Sequence, residues 1–105
     1  MVIVDIRDGK TSFALYADLS RDGDLVIAGR DHKPGLDAQA GTDAYEYLYT
    51  VGADAVPRVC ELLGVDAGSL LDGVQLLLAP HGVAASAHWR SWLNHHQVPY
   101  AFSLR

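Results

Sequence analysis

The stretch Thr11–Gly29, "TSFALYADLSRDGDLVIAG", decides the fold. Both of its ends are β-rich runs, and between them Asp22-Gly23 is a pair able to take the positive φ values of a tight type I′ turn. The stretch is predicted to be an antiparallel hairpin, its second strand covering Asp24–Gly29. On its N-terminal side, "VIVDIR" (Val2–Arg7) leads through Asp8-Gly9 into Thr11–Asp18, so the same turn chemistry predicts a first hairpin in series with the second. On its C-terminal side, "RDHKPGLDAQAGTD" mixes Gly, Pro, Asp and Thr without a sustained period. A connection of that length inside a compact domain is uncommon and marks the best candidate for a functional loop. "AYEYLYTV" (Ala44–Val51) then resumes strand-like alternation.

The period changes in the second half. Val56, Val59, Cys60 and Leu63 recur at i, i+3, i+4 and i+7, which predicts a short helix over Asp54–Leu63 with Pro57 in its first turn and Gly64 at its end. "SLLDGVQLLLA" (Ser69–Ala79) offers a second helix, with Leu70, Leu71, Val74, Leu77 and Leu78 as the buried stripe and Pro80 beyond its end. Ser86 is suited to N-cap a third, in which Trp89, Trp92, Leu93 and His96 share one face. Pro99 stops it, and "PYAFSL" reads as a last strand at a sheet edge, because proline cannot donate to a ladder. The order β-β-β-β-α-α-α-β predicts a single α+β domain over residues 1–105, with an antiparallel four-strand meander, a C-terminal strand and three helices on one face.

Composition narrows the function classes. With 8 Lys and Arg against 13 Asp and Glu, the net charge is −5. The cations are scattered, so a phosphate backbone would be repelled: nucleic acid is not an expected partner and a basic protein is. Cys60 is the only cysteine, which excludes an intrachain disulfide and a thiolate zinc cage and fits a reducing, cytoplasmic compartment. "MVIVDIRD" lacks the basic and apolar regions of a secretion signal, and no apolar run approaches the roughly 18 residues that a membrane span needs.

"DGDLVIAGRD" (Asp22–Asp31), "YEYLYTV" (Tyr45–Val51) leading to a helix that ends in "LLG", and "WRSWL" with "VPYAF" near the C-terminus are stretches in which the chain resembles a group of short, functionally uncharacterised bacterial proteins. Where that group carries "GQDLG", this chain has "GRDHKPG". The resemblance covers most of the chain and implies a shared fold. It also marks Asp31 and Glu46 as residues to test.

Three constellations bear on chemistry. His81, His88, His95 and His96 lie close in sequence, but no H-E-x-x-H spacing or carboxylate at i+3 or i+4 completes a metal site, and a solvent-side histidine face is the simpler reading. Asp22, Asp24, Asp31 and Asp37 crowd the turn and loop opposite Glu46, without the spacing of a calcium loop. Tyr45, Tyr47 and Tyr49 alternate along one strand and so share a face, opposite Glu46, Leu48 and Thr50. If the helices cover the Leu48 side, the tyrosines form an exposed row of the kind that marks interfaces; if not, they belong to the core. No G-x-S-x-G serine or glycine-rich phosphate loop is present, and no cofactor is expected.

Two functions follow as expectations. The first is a non-catalytic protein-binding module, inhibitor-like or immunity-like, that masks a basic partner through Asp31, Asp37, Tyr45, Glu46, Tyr47 and Tyr49. The alternative is a small-ligand or metal-dependent enzyme built on Asp31, Glu46 and one of His32, His81 or His88. A homodimer paired through the Tyr100–Leu104 edge is a further expectation.

Overall fold

In the computed structural model, which describes residues 1–8, 11–32 and 44–104, the alternating runs become strands β1 (Val2–Asp8), β2 (Thr11–Leu19), β3 (Leu25–His32) and β4 (Ala44–Val51), and the C-terminal run becomes β5 (Ala101–Leu104). They form one sheet in the order β1-β2-β3-β4-β5, each neighbouring pair antiparallel. The chain is an α+β fold. Asp8, expected in the first turn, is instead the last residue of β1 and pairs with Thr11; Gly9 and most of the long connection, including Asp37, lie outside the described residues.

The second hairpin closes differently from the expected two-residue turn. Type I′ geometry needs positive φ at both central residues. Here Gly23 has φ 88°, and among the described residues Gln97 is the only non-glycine with positive φ, so Asp22 does not share it. Ser20 and Asp24 instead close a three-residue loop: the Ser20 N–H donates to the Asp24 carbonyl at 2.8 Å and the Gly23 N–H to the Ser20 carbonyl at 3.0 Å. The extra residue leaves the Asp24 carboxylate free to accept from the Ala53 N–H at 2.9 Å, which ties the hairpin to the end of β4. β3 also runs past its expected end at Gly29 to His32, because its pairing with both neighbours continues to that residue.

Helix α1 (Val56–Leu63) has Pro57 in its first turn and Gly64 as its C-cap. The second and third expected helices are not separate. A single helical path runs from Ala67 to His95 as a 3₁₀ turn, α2 (Leu70–Leu78), a 3₁₀ segment (Ala79–Ala84) and α3 (Ala85–His95). It bends at Gly82, where φ 54° and ψ −125° leave the helical region. Ser86 does not cap α3: the N-cap is Ala84, and Ser86 lies inside the helix.

Odd-numbered residues of the middle strands face the helices. Phe13, Leu15 and Ala17 of β2, Leu25 and Ile27 of β3, and Val51 of β4 are buried against Val59, Leu70, Val74, Leu78, Ala85, Trp89 and Leu93. Burial of that apolar surface is the main favourable term in the fold, at about 25 cal/mol per Å² removed from water.

Candidate functional site

Alternation along β4 sets which residues can meet a partner. Tyr47 and Tyr49 have odd numbers, so they point with Leu15 and Ile27 into the core, where they are 7% and 5% exposed. The exposed-row expectation is therefore corrected: only Tyr45, at the end of the strand, is exposed. Asp31 pairs with Tyr45 across β3 and β4, half-buried on the same side. Glu46 pairs with Arg30 and points to the opposite face, where its carboxylate lies 3.6 Å from the Arg30 guanidinium. Asp31 and Glu46 are thus split by the sheet, as are Glu46 and the tyrosines.

Tyr47 fits because its cross-strand partner is Gly29. The phenol lies over the Gly29 backbone where any Cβ would overlap the ring at Cε2, Cζ and the hydroxyl. Glycine opposite an aromatic residue is a recurring way to close a sheet surface. The hydroxyl is buried, and the Ser86 hydroxyl lies near it without reaching hydrogen-bonding geometry. Burial pushes the Tyr47 phenol up to about 12, which the nearby Ser86 hydroxyl opposes and the Asp31 charge reinforces. Tyr49 is also raised by burial, with Arg90 acting against the shift.

Beside this buried pair the helix layer thins out. Phe102 packs on Tyr49 with ring centroids 4.9 Å apart and on Tyr47 at 6.2 Å. The Arg90 guanidinium of α3 sits 5.6 Å from the Phe102 ring centroid, in the range of a cation–π contact. Phe102 nevertheless stays 43% exposed and Leu104 69%.

The even-numbered face is the one that no described element covers. Its centre is Ala14, Tyr16, Val26, Ala28 and Leu48, with Tyr16 exposed and the others half-buried. Two ion pairs flank it, Arg7 with Asp5 at 3.5 Å and Arg30 with Glu46 at 3.6 Å. Asp5, Arg7, Ser12, Tyr16 and Arg30 surround a shallow hollow of about 260 Å³ on this face. Sequence reasoning missed Tyr16, Arg30 and Leu48. The available signal was the alternation in β2, where Ser12, Ala14, Tyr16 and Asp18 form a plainly less apolar row than Phe13, Leu15 and Ala17.

His81 and His88 stack with centroids 3.7 Å apart beside the bend at Gly82. Desolvation, and secondarily the neighbouring His81, lower the His88 pKa. Among the described residues no three His, Cys, Asp or Glu side chains are grouped so as to hold a metal ion. Cys60 is a buried free thiol. Among the described residues no single helix is long and apolar enough to cross a membrane. Comparison of the chain with protein-family models, with curated proteins and with solved structures finds no match.

Proposed function

We propose that the chain is a non-catalytic protein-binding module whose contact surface is the even-numbered face of its sheet, which no described element covers, and that its partner is a basic protein. One observation carries the reading: one side of the sheet is packed under helices, while the other presents an apolar centre inside a charged rim. That is the anatomy of a protein interface, with desolvated aromatic and aliphatic contacts in the middle and water-exposed charges around them. The net charge of −5 supports a basic partner, since long-range attraction speeds encounter and selects against acidic competitors. Of the six residues expected from sequence, Glu46 belongs to this surface, and Tyr16, Arg30 and Leu48 join it. Kinship with the short bacterial proteins that the chain resembles is part of this proposal and brings no activity with it.

The alternative enzyme loses its carboxylate pair, because Asp31 and Glu46 point to opposite faces. To test the binding module, a photo-crosslinking residue is placed at Leu48, with a control at Leu76, which is 79% exposed on the helix side. The expected result is one basic protein captured from position 48 and not from 76, with affinity for the purified partner falling at least tenfold in Leu48→Arg. Equal capture at both positions, or binding indifferent to Leu48→Arg, overturns the proposal.

A further inference from the structure

The two edges of the sheet are built differently. At the β1 edge the pairing register shifts between Val2 and Val4, a bulge-like irregularity. Asp5 and Arg7 put charges along that strand, and the Gln75 side chain donates to the Val2 carbonyl at 3.0 Å. Irregular register, charge and cover are the devices that keep a strand edge from pairing with another chain.

The β5 edge has fewer of them. All four residues Ala101–Leu104 are exposed and none is charged. The side chains aligned with the buried tyrosines are apolar: Phe102 pairs with Tyr49 and Leu104 with Tyr47. The core therefore continues outward onto a strand whose far side has no neighbour among the described elements.

We propose that β5 is the interface through which two copies of this chain pair, antiparallel about a two-fold axis at Ser103. The occupant follows from parity. In an antiparallel pair, residues directly opposite point to the same face, so a two-fold centred on Ser103 sets Phe102 against the second copy's Leu104 and Leu104 against its Phe102. Both exposed apolar side chains are covered at once, and each surface is its own complement, as an isologous contact requires. Ala101 and Ser103 are small and lie on the even-numbered face, in line with Thr50 and Leu48, so among the described residues of β5 no bulky side chain stands on that side of the approach. This interface uses the outer edge of β5, which adjoins the partner-binding face at Ser103 beside Leu48, and its argument does not rest on that face binding a partner.

Light scattering and sedimentation on the full chain test the pairing. The expected result is a mass of two chains that dissociates on dilution, with a dissociation constant at least tenfold higher in Leu104→Lys. Because Leu104 is 69% exposed, that variant keeps its circular dichroism. The axis is tested separately: Ser103→Cys forms an intermolecular disulfide under mild oxidation, Ala101→Cys does not, and wild type, whose only thiol is the buried Cys60, serves as the blank. A one-chain mass at every concentration, a dimer unaffected by Leu104→Lys, or a dimer in which Cys at 103 stays unlinked overturns the proposal.

Discussion

At Gly29 a missing side chain makes room for a whole aromatic ring. The Tyr47 ring is buried beside Tyr49 and Phe102, so the Cβ of Gly29→Ala, which would overlap it, forces the ring to shift within that packing. The expected cost is about 2 kcal/mol, in the range of overpacked cores. In a Tyr47→Ala background the same change costs a fraction of that, so denaturant titration of the four proteins gives a strong coupling energy. The Tyr47 hydroxyl contributes differently. The nearby Ser86 hydroxyl does not reach it in hydrogen-bonding geometry, so Tyr47→Phe is expected to be close to neutral near neutral pH. Its pKa rises from 10.0 to about 12 in the folded chain, which means that the unfolded chain loses this proton first. Wild type keeps its full stability below pH 10 and loses on the order of 2 kcal/mol through this group as the pH rises toward 12, whereas Tyr47→Phe lacks that component. Urea midpoints for both proteins between pH 9 and 11.5 measure the difference.

Elements show which parts of the architecture could be read from the sequence. The hairpins were legible because their signal is local: alternating runs broken near Asp-Gly pairs mark where the chain turns, although Asp8 ends β1 opposite Thr11 and the second loop closes from Ser20 to Asp24. The helices were legible from period, and α1 starts and stops where Pro57 and Gly64 dictate. What could not be read was the side of the sheet that each row of β4 occupies. Tyr45, Tyr47 and Tyr49 compete with Leu48 and Thr50 for the core, and the choice depends on the parity of the β3–β4 register across a long connection. Only a distant match settles it, Gly29 beneath Tyr47 and Ile27 beside Tyr49. The bend between α2 and α3 was hidden for a different reason. Pro80 announces an interruption, but the change of direction is made at Gly82, at φ 54°. Ile6 Cδ1 would lie 3.6 Å from a Cβ there, an ordinary contact, so the penalty of Gly82→Ala is purely conformational. About 1–2 kcal/mol is expected, measured as a shift of the thermal midpoint with unchanged helicity.

For the whole molecule, helices and sheet share one core, from Leu15 and Ile27 through Val74 to Trp89. Neither layer retains a buried surface without the other, so calorimetry is expected to record a single transition rather than separate melting of the two layers. If two copies associate in the folded state, the midpoint rises with protein concentration and Leu104→Lys abolishes that rise. Heterologous joining of β1 to β5 would leave a fresh edge after every addition and propagate a fibre. The Gln75 clasp on the Val2 carbonyl, together with the register shift and the Asp5 and Arg7 charges of β1, disfavours that second attachment point, so association through the sheet is expected to stop at two copies, and sedimentation of concentrated solutions checks this by showing no species larger than a dimer.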